Sequence, residues 1–232
     1  MNRPYITIIL LLVLLCTGCN NDNEETIATI KPEATGSFVD ARDQFTYHWV
    51  KYNGLDWTVE NSHYKTSDGT YGIYRIAPSV GTEPDITDAK TFEKYGYLYN
   101  YDALSEVAPE GWRVPTDEDW KKLEEALGIS QEEANQTNWR GSYAGKLLTQ
   151  DQSGSGLNFL YGGYWNANSA SFTSKFRLIK AEGLYWTSTK DETKNSEKYA
   201  YYRKIRYNSN QIFRYSTDTS NMFSIRFVRN SN

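Results

Sequence analysis

Gly111-Trp112-Arg113-Val114-Pro115-Thr116-Asp117-Glu118-Asp119-Trp120-Lys121-Lys122-Leu123 is the stretch whose reading decides the fold. After Val114-Pro115, Thr116 offers a side-chain oxygen to the free N–H groups of a new helix. Asp117, Glu118 and Asp119 set negative charge against its N-terminus. Trp120, Leu123 and Leu127 recur on one face at helical spacing, and Gly128 is a natural stop. Ser130-Gln131-Glu132-Glu133 has the form of a capping box and opens a second, weaker helix. On either side of this helical middle the pattern changes to short aromatic-rich strands. Phe45, Tyr47 and Trp49 alternate with Thr46, His48 and Val50; then Asn53-Gly54 marks a tight hairpin into 55–59, since both turn positions favour positive φ. Residues 62–94 are irregular. Tyr97, Tyr99 and Tyr101 predict a strand running into a short helix near Ala103. Beyond Gly141 the predicted strands are 157–160, 185–189, 199–207, 211–215 and 223–228. In the last of these, Phe223, Ile225 and Phe227 alternate with Ser224, Arg226 and Val228, a half-buried pattern. Strands flanking a small helical middle define an α+β class.

Composition narrows the chemistry. Net charge is −4, so nothing electrostatic draws the chain to nucleic acid. An aromatic content of 15%, with 19 Tyr and 7 Trp, excludes a disordered chain, and 16 scattered Gly exclude a long coiled coil. The two cysteines, Cys16 and Cys19, both precede the domain, which therefore has no disulfide, no thiolate zinc site and no cysteine nucleophile. With His48 and His63 the only histidines, a His-rich metal site is also excluded. The expectation is of no metal and no cofactor.

Residues 1–18 read as a signal peptide, with Arg3 ahead of an apolar run too short to span a bilayer. The run ends in Cys16-Thr17-Gly18-Cys19, which resembles the lipobox of bacterial lipoproteins; the alternative is an ordinary secretory signal. Lipidation at Cys19 would anchor the protein to a membrane without a spanning helix. Residues 19–36 follow as a polar tether. Its acidic start, Asn20 to Glu25, resembles the tract that sends some lipoproteins to the outer face of the outer membrane, the alternative being a plain solvated spacer. Residues 37–232 form a single domain.

The order of several short motifs identifies a resemblance over nearly the whole of that domain. They are Asp40-Ala41-Arg42-Asp43; Trp57 with Asn61; Tyr95-Gly96-Tyr97-Leu98-Tyr99-Asn100; Gly111-Trp112-Arg113-Val114-Pro115-Thr116 with Trp120; Ala144-Gly145-Lys146-Leu147; Gly162-Gly163-Tyr164; Tyr185-Trp186-Thr187-Ser188-Thr189; and Phe223-Ser224-Ile225-Arg226-Phe227-Val228. In this order they resemble the Fibrobacter succinogenes major paralogous domain. The resemblance implies a C-type-lectin-like fold, similar also to the formylglycine-generating enzymes, whose final strands present a binding face. It places Trp57, Trp112, Trp120 and Trp186 in the framework.

Formylglycine chemistry needs thiols that this domain lacks, so at most a degenerate relative of those enzymes is implied. A glycosidase would need two positioned carboxylates, and the acidic clusters Asp117-Glu118-Asp119, Glu124-Glu125 and Glu132-Glu133 read as helix caps and solvated faces. Glu83-Pro84-Asp85 and Trp165-Asn166 echo a lectin calcium site, but in the wrong order and without the closing Asp. The expectation is a non-catalytic protein. Residues 199–221 mix Tyr with Arg and Asn as paratopes do. On a strand, Tyr202, Lys204 and Arg206 share one side, and the side holding Ile205 faces the core. The candidate ligand-binding residues are therefore Tyr202, Arg206, Asn208, Asn210, Arg214 and Tyr215, with Trp165 and Asn166 as a second lobe. The expected ligand is a glycan or a protein at the cell surface. An ordinary tyrosine-decorated sheet, or a structural part of a surface assembly, remains the alternative.

Overall fold

The computed structural model describes residues 29–72, 89–149, 154–170 and 175–231. The first half holds β1 (Thr35–Val39), β2 (Thr46–Tyr52), β3 (Leu55–Thr58), β4 (Tyr71–Gly72), α1 (Ala89–Tyr95), β5 (Leu98–Tyr99) and a 3-10 turn at Tyr101–Ser105. The middle is α2 (Asp117–Ala126), α3 (Gln131–Asn135), β6 (Asn138–Arg140) and α4 (Ala144–Thr149). The last part holds β7 (Tyr164–Trp165), β8 (Phe176–Arg177), β9 (Glu182–Lys190), β10 (Tyr199–Arg206), β11 (Ile212–Asp218) and β12 (Val228–Asn230). Two four-stranded antiparallel sheets result, ordered β1-β2-β3-β12 and β6-β11-β10-β9. The first brings both ends of the domain together, and the α+β class follows.

Local chemistry explains the elements that the sequence predicts best. The β2–β3 turn has Asn53 at φ 46° and Gly54 at φ 73°, which is the backbone an Asn-Gly hairpin supplies. At α2, Thr116 Oγ1 accepts from the Asp119 N–H at 3.1 Å, while Asp119 Oδ2 accepts from the Thr116 N–H at 2.7 Å. Two orphan donors are satisfied reciprocally. Gly128, at φ 92°, ends the helix. Trp120 and Leu123 are buried, and the Trp120 ring lies 5.1 Å from those of both Trp57 and Phe159. Trp57, Trp112 and Trp186 are buried as well. At α3, Ser130 Oγ caps the Glu133 N–H, but the Glu133 carboxylate turns away to accept from Gly141.

Four expectations need correction. β1 begins at Thr35, inside the stretch read as a tether, because Thr35 and Gly36 pair with Val50 and Trp49. Residues 157–160 are irregular: Leu157 and Phe159 are buried, and no ladder forms there among the described residues. The run 223–228 is not half-buried, since every residue in it is enclosed. It threads between the two sheets, bridging Tyr99 and Tyr185 and joining a ladder only at Val228. Alternation fails as a guide when both faces of a strand are covered. Arg226, fully buried, there donates to Asn61 Oδ1 and to the carbonyls of Thr58, Leu157 and Asn158.

The fourth correction concerns the acidic clusters. Asp119 is a cap, but Asp117 and Glu124 are buried between α2 and the second sheet. Asp117 accepts from Arg203 Nη1 at 2.7 Å and from Arg214 Nη2 at 2.7 Å. Glu124 accepts from Arg203 Nε and Arg140 Nη2, both at 2.5 Å. Carboxylates two helical turns apart thus meet arginines from β6, β10 and β11, and the network pins one face of the sheet to α2. Burial opposes the charge on Asp117, but hydrogen bonds from Arg214 and the charges of Arg203 and Arg214 outweigh it and hold the carboxyl well below the usual range.

Candidate functional site

Because α2 occupies one face of the β6-β11-β10-β9 sheet, register decides which side chains the other face presents. Arg203 lies opposite Arg214 on the helix side; Tyr202 lies opposite Tyr215, and Lys204 opposite Phe213, on the open side. Neighbouring strands add Glu182, Leu184 and Trp186 from β9 and Trp139 from β6 to that open face. The 222–224 run covers one part of it. Phe223 packs at 4.2 Å on the Trp186 ring and at 5.2 Å on the Tyr202 ring.

Between this covered part and β7 lies a recess of about 290 Å³. Tyr202, Leu184 and Phe223 give it an apolar wall, and Tyr164 a second ring. Polar groups enter from three directions: Asn166 and Asn168 from the loop after β7, Thr217 and Asn221 from the end of β11, Glu182 and Lys204 from the sheet. The loop is held in place from within. Asn166 Oδ1 accepts from the Asn168 N–H at 3.0 Å, and Asn221 Oδ1 accepts from the Ala167 N–H at 3.0 Å. The Trp165 N–H and carbonyl pair with Met222 at 3.0 Å each, which ties the β7 loop to the 222–224 run.

Electrostatics are uneven across the recess. Glu182 accepts from Arg206 Nε at 2.7 Å and lies 4.0 Å from Lys204 Nζ. Lys204 also sits 4.4 Å above the Phe213 ring, and Arg206 5.2 Å above the Trp139 ring. Burial pulls the Lys204 pKa down; Glu182 opposes this and Arg206 reinforces it. Burial pushes both the Tyr164 and Tyr202 hydroxyls up, so each stays protonated at neutral pH and is a potential donor.

The eight candidate residues separate into groups. Tyr202 and Asn166 line the recess together, and Arg206 braces it through Glu182. Trp165 supports the loop from below, its ring 4.5 Å from Lys175 Nζ. Tyr215 is 42% exposed on the open face beside Tyr202, without lining the recess. Asn208 and Asn210 sit in the exposed β10–β11 turn, where the Asn210 carbonyl accepts from the Gly145 N–H at 2.8 Å. Arg214 is the correction: it lies on the helix face, 6% exposed, spent on Asp117. One residue of register decides between the two faces. Sequence reasoning missed Glu182 and Tyr164 as members of this site. Nothing local marks them, since they reach it only through the pairing of β9 with β10 and of β7 with β8. Glu83-Pro84-Asp85 and Cys19 lie outside the described residues.

Together the fold and this face define a class: a small α+β domain in which one helix, buried along one face, locks the back of an antiparallel sheet and leaves its front open around a concave, aromatic and amide-lined recess. The family can then be stated. The chain belongs to the Fibrobacter succinogenes major domain family, which matches residues 50–229. No curated protein and no solved structure matches it.

Proposed function

We propose that this chain is a lipid-anchored protein of the cell envelope, held at the outer membrane through Cys19. In this reading its C-type-lectin-like domain binds a surface glycan or protein without catalysis. The observation that supports this best is the convergence on one recess of Tyr202 and Asn166, residues 36 positions apart in sequence. Aromatic rings beside side-chain amides make apolar contact and adaptable hydrogen bonds, the mixture recognition surfaces use. At about 290 Å³ the recess stands at the lower edge of ligand clefts, roughly 300–1,000 Å³. A binding rather than catalytic role is supported by its lining. Glu182 is the one carboxylate among the described lining residues, and it is committed to Arg206, whereas glycoside hydrolysis uses two. The lectin-like comparison is supported by the two terminal strands sharing a sheet while the second sheet presents the open face.

The test uses the purified full-length chain on glycan and surface-protein arrays, beside Tyr202→Ala and Asn166→Ala. A ligand lost in both variants, with far-UV circular dichroism unchanged, is the expected result. A ligand retained by both would remove the recess from the proposal. In cells, Cys19→Ala is expected to shift the protein out of the membrane fraction, and unchanged partitioning would remove the anchor.

A further inference from the structure

The chain carries a net charge of −4, yet the surroundings of the recess carry the opposite sign. Lys204 of β10 lines it, Arg206 of the same strand stands behind it, and the single lining carboxylate, Glu182, lies between them. Glu182 can neutralise one of these cations, not both. Arg206 donates to its Oε1 through both Nε and Nη2, which leaves Lys204 with that carboxylate only at 4.0 Å and otherwise with the faces of the Phe213 and Trp139 rings. The hairpin that forms the opposite wall adds one more. Arg177 is the cross-strand partner of the lining residue Tyr164, close enough for its charge to act on that hydroxyl. Asp218, the next carboxylate along β11, is spent on the Ser220 N–H and hydroxyl and has Lys198 beside it. A half-buried ammonium with 16% of its side chain exposed, at the edge of a polar recess, lacks a full counter-charge from the protein.

Resting on the recess as the binding site, we infer that its ligand is an acidic saccharide, with a carboxylate or sulfate meeting Lys204 while the sugar ring packs against Tyr202 and its hydroxyls meet Asn166 and Asn168. A saccharide fits better than an acidic peptide because amides and rings line a short concave space. An anionic ligand would also be attracted from solution by Arg177 beside Tyr164.

The experiment titrates the full-length chain with four probes: polygalacturonate oligosaccharides, their methyl esters, chondroitin sulfate oligosaccharides and poly-glutamate. The expected result is at least tenfold tighter binding of an acidic saccharide than of the methyl ester. That preference is expected to shrink as salt rises from 50 to about 300 mM, because screening weakens exposed charge contacts. It is also expected to fall at least tenfold in Lys204→Gln and to return in Lys204→Arg, with melting temperatures recorded for both. Preference for carboxylate over sulfate, or the reverse, identifies the anionic group. Equal binding of acid and ester, lost in Tyr202→Ala, would overturn the charge inference and leave the recess standing. Acid binding unaffected by either Lys204→Gln or Tyr202→Ala would overturn both. Poly-glutamate bound as tightly as the saccharides, or no binding of any acidic saccharide, would overturn the ligand class.

Discussion

Replacing Asp117 by Asn is the sharpest probe of how the sheet is held. The substitution keeps the shape of the side chain and removes its charge, leaving Arg203, fully buried, and Arg214, 6% exposed, facing an amide. In the native chain Asp117 accepts from Arg203 Nη1 at 2.7 Å, Arg214 Nη2 at 2.7 Å and Arg214 Nε at 3.0 Å, and Lys121 Nζ stands 3.4 Å away. Asn can accept through one oxygen only, and its NH₂ group meets guanidinium donors. Glu124 cannot compensate, because Arg140 and Arg203 already share it. Breaking a buried pair by removing one partner costs about 3–5 kcal/mol. For a domain of this size each kcal/mol lowers Tm by about 2–4 °C, so a fall of about 6–20 °C is expected in thermal unfolding followed by circular dichroism. Linkage adds a pH signature. The folded carboxyl titrates below its unfolded value of about 3.9, so its stabilisation is complete above that pH and is lost as pH falls through the folded pKa. The gap between wild type and Asp117→Asn should therefore narrow below about pH 4. A loss under about 1 kcal/mol at pH 7, or a double cycle with Arg214→Met that is simply additive, would refute the network as the lock between α2 and the sheet.

Thr116→Ala should cost about 1 kcal/mol in urea unfolding, because it strips the α2 N-terminus of the oxygen that caps the Asp119 N–H. Thr116→Ser should recover most of that loss. Gly183→Ala would place a Cβ 2.1 Å from the Leu160 carbonyl oxygen, which is backbone and is itself held by the Tyr185 hydroxyl at 2.7 Å. The strand must shift to relieve the overlap, so destabilisation of about 1–3 kcal/mol is expected, with an unchanged urea midpoint contradicting the packing.

The helix at 117–126 and the hairpin at 53–54 were legible from residue order because their determinants are local. A cap, a run of acids, an apolar stripe and an Asn-Gly pair act within a few residues of themselves. Strand parity was legible too: Ile205 faces the core, and Tyr202, Lys204 and Arg206 share the other side. The family was readable for the same reason, since short motifs keep their order along the chain. What could not be read were the facts set by partners distant in sequence. Asp117 and Glu124 looked like solvated helix acids until three arginines from β6, β10 and β11 were found against them. Arg214 and Tyr215 are adjacent and alike in their promise for binding, yet pairing with β10 sends one into the ion network and the other to the surface. The run 223–228 alternates as a half-exposed strand would, but it passes between two sheets and loses both faces to the interior. The recess likewise exists only where β7, β9, β10 and β11 converge. Sequence alone determined the locally specified elements, the class and the family; tertiary structure decided which charges were buried and which side chains met, because burial and contact depend on what packs against a residue rather than on its neighbours in the chain.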